Sequence, residues 1–415
     1  MFRLGSYQKG TPAEGELWVS EEDWNNHCHV IGASGAGKTN FLYYLTSQAQ
    51  PFCFIDAEGI SARTVADSQP CIYWRARDYD FPVALNLLQD CDPDDRDERV
   101  AEIVSLFWDV WDLGEHNPLL NDYLSASIRL LLDTSGSTLI ELYRVLTDEE
   151  FRGFLLLKCK DAHTRHFWRH FDAKDERLQD QQISSTLNKA NALARSLPLR
   201  LALGQSTSTL NIRDIIDTGK RVVVDLSGIG AMNRRLLGAV IIFAFVNSAS
   251  KRPTNKPQYS LIVDEFEDYI AATAKEALSK SRKRGLSLTL AHQFLHQLAE
   301  DVRAAIFANV GTFICFRVWP DDADIMARQL DTAVANLTHL PRGKAFARAQ
   351  YNGQPWKALH IDVPRAALKS GHLDRNIKTT QQRYARTREK AQYQMNWWQR
   401  VQWARRQNPK DGLDF

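Results

Sequence analysis

Short unbroken apolar runs alternate with stretches of helical periodicity over much of this chain. Phe52-Cys53-Phe54-Ile55, Val222-Val223-Val224, Leu261-Ile262-Val263, Leu286–Leu290 and Thr312–Phe316 are each three to five residues of mostly apolar character. Runs without an in/out alternation suit strands covered on both faces, so the pattern predicts an α/β core built on a mostly parallel sheet. Between about Asp94 and Leu203 the period changes. Val100, Ile103, Val104, Phe107 and Trp111 recur at helical spacing, and Asn117-Pro118 reads as an N-cap followed by proline at the first helical position. That start predicts a helix through Leu132, with further helices over Thr138–Leu146, Glu149–Lys158 and Gln179–Leu197. The expected organisation is an α/β core from residues 1–93 and 204–375, an all-α insertion at 94–203 and a basic helical tail at 376–415.

Composition narrows the picture modestly. The 415 residues are 44% hydrophobic and 25% charged, with a formal net charge of +2, so any nucleic-acid-binding surface must be local. Six cysteines lie far apart without a C-x-x-C pair, which argues against a zinc ribbon or a disulfide scaffold and fits a reducing compartment. No signal peptide is visible at Met1-Phe2-Arg3-Leu4-Gly5, and the most apolar run, Leu236–Val246, is too short to span a bilayer. The expectation is a cytoplasmic protein, brought to the inner membrane only by a partner. From Asn376 onward nine Lys/Arg face three Asp/Glu, with Tyr384, Tyr393, Trp397, Trp398 and Trp403 interleaved. Such a segment suits a nucleic-acid or partner contact, and equally a helix packed on its own domain.

The segment Gly32-Ala33-Ser34-Gly35-Ala36-Gly37-Lys38-Thr39 carries the clearest chemistry. It fits G-x-x-x-x-G-K-[ST] after an apolar strand, Val30-Ile31, and before a helical run, Asn40–Leu45. Glycines let backbone N–H groups converge on phosphates, and the helix N-terminus adds the positive end of its dipole. Lys38 is placed for the β/γ-phosphates and Thr39 for Mg²⁺, so ATP and Mg²⁺ are the expected ligands. Asp264 and Glu265 end the strand Leu261–Val263, in the order that suits a magnesium-holding acid followed by a general base. Gln293 ends the next strand, where it would sense the γ-phosphate or its water. Arg282, in the turn Ser281–Gly285, is the candidate for stabilising transition-state charge from a neighbouring subunit. Asp56 and Glu58 follow a strand as well, as metal-site support or as helix caps. His163, His166 and His170 share helical spacing but are interleaved with arginines, and read as solvated rather than metal-binding. His27 and His29 flank Cys28 in a strand, which is a poor arrangement for a joint metal site.

The P-loop, the helical insertion, the Val263-Asp264-Glu265-Phe266 strand end, Ser281–Gln293 and Asn309–Val318 together resemble the HerA/FtsK superfamily. Within it the chain looks most like the type IV secretion coupling proteins of the TraD/TraG kind, over roughly Val30 to Asp362, including Leu340-Pro341-Arg342-Gly343. The resemblance implies a RecA-like core and a ring-forming, usually hexameric ATPase that moves DNA through a central channel. It makes Lys38 and Thr39 the Walker A pair, Asp264 and Glu265 the Walker B pair, Gln293 the sensor and Arg282 the trans arginine, with Arg284 in reserve. Relatives differ in carrying N-terminal transmembrane helices or a small β-barrel, so the basic tail is a candidate attachment to a membrane complex or nuclease. An ATP-gated adaptor that recruits a protein without moving DNA is the alternative expectation.

Overall fold

The computed structural model describes residues 1–48, 50–89, 91–111, 117–253, 256–269, 278 and 281–407, with side chains at 268, 282 and 403–407 excepted. Two compact units emerge. One holds residues 1–75 and 212–380, the other residues 76–211 and the chain from 381 onward.

The first unit is built on an eleven-stranded sheet. Its strands are β1 (Phe2–Tyr7), β2 (Gly15–Val19), β3 (Cys28–Ile31), β4 (Phe52–Asp56), β5 (Ile72–Arg75), β6 (Val222–Asp225), β7 (Tyr259–Val263), β8 (Leu286–His292), β9 (Thr312–Cys315), β10 (Lys344–Arg348) and β13 (Leu359–Asp362); the short hairpin β11 (Gln350–Tyr351) and β12 (Gln354–Pro355) stands apart. The order is β2-β1-β13-β10-β9-β3-β8-β7-β4-β6-β5. Seven adjacent strands, from β9 to β5, run parallel, and the other four extend the sheet antiparallel. Every strand foreseen from its apolar run lies in the parallel part. There β3, β4, β7, β8 and β9 are buried along their whole length, as double coverage requires. β1, β2, β5, β10 and β13 are the strands of this sheet that the apolar-run pattern does not reveal.

Helices complete the coverage. The helix Lys38–Thr46 buries Phe41, Leu42 and Leu45 in the same cluster as Val30 of β3 and Phe52 and Phe54 of β4. The helix Ala231–Ser250 buries every residue from Leu236 to Val246, which explains the most apolar stretch of the chain as an internal helix. No helix among the described residues is long and apolar enough to cross a membrane.

The second unit is built of helices joined by loops, with no strand among its described residues. Asn117 accepts the amide of Leu120 at 3.1 Å and opens a helix Pro118–Leu132. Helices Arg96–Val110, Leu142–Thr147, Glu149–Lys158, Ala162–Asp172, Glu176–Arg195 and Leu197–Leu203 surround it. This unit begins at residue 76, not near 94, and keeps residues to 211. The 376–415 tail is likewise not a third region. Asn376 is buried in the first unit, where its amide nitrogen donates to the carbonyls of Ala66 at 2.7 Å and Gln69 at 2.8 Å. From Gln381 the chain belongs to the second unit, where Arg386 donates to Gln205 Oε1 and the Thr207 carbonyl. Trp397 and Trp398 are buried against Phe151 and Phe154, with ring centroids 4.9 to 6.4 Å apart. These two tail aromatics are core, while Tyr393 stays exposed under the Arg400 guanidinium.

Trp397 Nε1 donates to Glu141 Oε1 at 3.0 Å, and Glu141 Oε2 accepts from the Thr138 amide and hydroxyl. Burial still outweighs these bonds and lifts the Glu141 carboxyl from 4.5 to about 7. The native state therefore holds a proton that the unfolded state has released. Its contribution to stability is complete below pH 4.5 and is lost as pH rises through 7, at up to about 1.4 kcal/mol per pH unit. Chemical denaturation across pH 4.5–7 should show this decline, and Glu141→Gln should flatten it. Trp398→Ala should lower the stability of the helical unit by about 3–5 kcal/mol in the same assay.

Candidate nucleotide site

The carboxyl ends of β3, β4, β7, β8 and β9 meet along one edge of the parallel sheet, where ligands of such sheets bind. The P-loop leaves β3 there. Gly35 and Gly37 adopt positive φ, +72° and +129°, which side chains with a Cβ disfavour. Gly37 caps the helix Lys38–Thr46, whose first N–H groups have no intrahelical acceptor. Ser34, Gly35 and Thr39 are exposed, whereas Gly32, Ala33, Ala36 and Lys38 are buried.

Three backbone hydrogen bonds brace this loop from outside the motif. Phe316 N donates to Ile31 O at 2.8 Å, Ala33 N to Arg317 O at 2.7 Å, and Gly343 N to Ala36 O at 2.9 Å. Gly32 presses on Phe316 so closely that an added Cβ would lie 2.6 Å from the Phe316 Cβ. The segments Phe316-Arg317 and Leu340–Gly343 therefore act as supports of the phosphate loop, a role their sequences alone do not reveal.

Asp264 extends β7 and is buried, with its amide bonded to Ile55 O at 3.0 Å. Burial first, then the negative charges of Glu265 and Asp56, raise its carboxyl to about 7. Lys38 opposes that shift, and burial lowers the Lys38 ammonium, with Glu265, Asp264 and Glu267 pulling it back up. The Lys38 Nζ donates to the Gly32 carbonyl. A lysine, two foreseen acids and a third acid thus share one pocket of field. An oxygen-rich, under-neutralised cluster of this kind fits a hard divalent cation, which takes carboxylate, hydroxyl and phosphate oxygens.

Glu265 sits at φ +51°, ψ +52°, a left-handed conformation uncommon for a residue with a side chain. It turns the chain into the single turn Phe266–Asp268 and brings Glu267 back to the strand ends. Gln293 Nε2 donates to Glu265 Oε1 at 2.9 Å, and the Gln293 amide approaches Glu267 Oε1 at 3.5 Å. Burial, followed by Glu265, raises the Glu267 carboxyl to about 8. Glu267 is the acid at this candidate site that the sequence reading passes over. Its spacing, two residues beyond Glu265, was visible, but its return depends on a backbone conformation that no pattern announces.

The remaining candidates separate cleanly. The Arg282 side chain lies outside the described residues. Arg284 is not a spare finger: its guanidinium donates to the Arg252 carbonyl at 2.6 Å, and Arg252 returns a bond to the Arg284 carbonyl at 2.9 Å. Arg252 itself is fully buried and paired with Asp217 at 2.9 Å, so this turn is a structural clasp. Asp56 accepts the amides of Glu58 and Ala62 at 2.9 and 2.8 Å and behaves as a helix cap, while Glu58 is exposed. His163, His166 and His170 are exposed, and the described residues contain no grouping of three or more potential ligands suited to a metal ion. Gly32→Ala should displace Phe316 and distort the loop at a cost of about 1–3 kcal/mol. Titration with a fluorescent ATP analogue should then show binding weakened by roughly tenfold or more.

No protein-family model matches the sequence, and no curated protein matches it. Solved structures do. The plasmid coupling protein TrwB in complex with the GTP analogue GDPNP superposes with a TM-score of 0.65 at 14% identity, covering 89% of this chain and 96% of that one. TrwB in complex with ADP and Mg²⁺ gives 0.62 at 14% identity, with 89% and 98% covered. VirB4 of Thermoanaerobacter pseudethanolicus gives 0.61 at 14% identity, with 88% and 96% covered. The chain shares the α/β P-loop fold of the TrwB conjugative coupling proteins and of VirB4.

Proposed function

We propose that this protein is an ATPase of the coupling-protein type, which uses hydrolysis within a ring of subunits to drive DNA through a central channel. The observation that carries the hydrolytic part is the 2.9 Å contact between Gln293 Nε2 and Glu265 Oε1, at the strand ends beside the P-loop. A carboxylate held by a sensor amide is oriented for a water, and the same amide would register the γ-phosphate.

In this reading Lys38 exchanges the Gly32 carbonyl for phosphate oxygens, and the exposed rim of the P-loop offers its N–H groups. Thr39 and Asp264 would hold Mg²⁺, which supplies charge neutralisation at the phosphates when bound. Glu265 accepts the proton of the attacking water. Arg282 is the proposed trans arginine, which would make turnover depend on a neighbouring subunit. The shared fold with plasmid coupling proteins supports DNA as the cargo, and so does the sequence resemblance. Contacts would go to phosphate charge, with low sequence specificity and strong salt dependence. The proposed location is the cytoplasm, with recruitment to the inner membrane by a partner.

Steady-state ATP hydrolysis with and without long DNA, over a range of protein concentrations, tests the proposal. Stimulation by DNA that is cooperative in protein is expected. Glu265→Gln should abolish turnover while retaining nucleotide binding, and Arg282→Ala should lower turnover by about 10³-fold or more. Hydrolysis indifferent to DNA and linear in protein would overturn the motor reading and favour an adaptor that responds to protein partners.

A further inference from the structure

Behind the nucleotide site two histidines meet inside the sheet. His29 belongs to β3, three residues before the P-loop, and His292 ends β8, immediately before Gln293. The strands pair with His29 opposite Leu290 and Ile31 opposite His292, which sets the two imidazoles diagonally on one face. Both are fully buried, and their Nε2 atoms are 2.5 Å apart. Phe313 of the neighbouring strand β9 packs edge-on against His29 at 5.7 Å, and Phe307 does so at 6.2 Å.

The proton positions follow from the partners. His292 Nδ1 lies 3.2 Å from the Phe294 carbonyl, which can only accept, so this nitrogen carries a hydrogen. Burial pulls both rings well below their ordinary range, and a neutral His292 then has a bare Nε2. His29 must donate from its own Nε2, which leaves its Nδ1 bare, and that atom is buried without a hydrogen-bond partner among the described residues. The relay thus runs from His29 through His292 to the Phe294 carbonyl, and it spans the residue between them, Gln293. An apolar pair would fill this space without an unmatched nitrogen. Such local inconsistencies concentrate where a site demands them.

We infer that His29 and His292 are positioning residues, a two-imidazole relay that fixes the 292–294 turn and thereby holds Gln293 against Glu265 in register with the P-loop strand. This rests on the ATPase reading above. Neither ring touches the reacting atoms; the relay acts through the sensor.

Three forms of the full chain separate the possibilities: the native protein, His29→Leu and His29→Gln. Leucine fills the volume without a donor, whereas glutamine restores an N–H of similar reach. Turnover is measured beside equilibrium binding of a fluorescent ATP analogue. The expected result is kcat lowered about 10- to 100-fold in His29→Leu, with analogue affinity unchanged and most of the rate recovered in His29→Gln. Equal rates in all three proteins would overturn the relay, as would equal loss in both variants, which would mean packing alone. A native protein without ATP hydrolysis would instead sink the functional reading. Selective ¹⁵N-histidine NMR of the native protein gives an independent check should His29→Leu fail to fold. A hydrogen on Nδ1 of His292 and on Nε2 of His29, with neither ring titrating between pH 6 and 8, supports the relay. A hydrogen on Nε2 of His292, or titration of either ring in that range, overturns it.

Discussion

A slip of one residue between β7 and β8 would take Gln293 away from Glu265 and turn every side chain of one strand to the opposite face. That register is the constraint on which the rest of the site depends. Val263 stands opposite Leu290, Ile31 opposite His292 and Ile55 opposite Val263, so four parallel strands deliver their chemistry to one level. Backbone hydrogen bonds set the level; burial on both faces prevents it from sliding. The P-loop is then tied to the next strand along by Phe316 and Arg317, and to the following turn by Gly343. A loop rich in glycine has little stiffness of its own, and these three bonds supply what its composition lacks.

The same geometry concentrates charge. Asp264, Glu265 and Glu267 lie within electrostatic reach of Lys38, in a place where burial penalises the ionised forms of Lys38, Asp264 and Glu267. Burial first, and the negative charge of Glu265 after it, lift Asp264 to about 7 and Glu267 to about 8, and one ammonium does not offset them. A divalent cation and a polyphosphate are opposite charges that such a cluster binds together more readily than either alone. Strain follows the same logic. The left-handed backbone at Glu265 costs about 1–3 kcal/mol, and it places both Glu265 and Glu267 beside Gln293.

Much of this was legible in the residues. The parallel strands announced themselves as unbroken apolar runs because they are covered on both sides, and Gly32–Thr39 identified its own loop and helix. The Asn117-Pro118 start and the helix after it were equally readable, since capping is a local interaction. Less legible were features set by distant partners. β1 and β2 form an antiparallel edge whose alternation is interrupted by a register shift between Arg3 and Gly5. His29 and His292 are 263 residues apart in sequence. Arg284 looked free in a basic turn, and only the buried Arg252 beside it reveals a clasp.

The C-terminal segment shows why composition alone could not decide its role. Basic residues interleaved with tryptophans suit a nucleic-acid strand, because every base offers a face to stack on. They equally suit a helix pair whose aromatic side is buried and whose arginines reach the rim. The two arrangements differ in where the indoles find their apolar contact, and here Phe151 and Phe154 supply it for Trp397 and Trp398. Once those indoles are buried they offer no stacking platform, and the bond from Trp397 to Glu141 ties the segment to a carboxyl that is itself interior. Tyr393 and Arg400 are likewise engaged face to face, while the Trp403 side chain lies outside the described residues. The helical unit is closed by its own C-terminal chain, so the tail is a part of that fold before it is anything else.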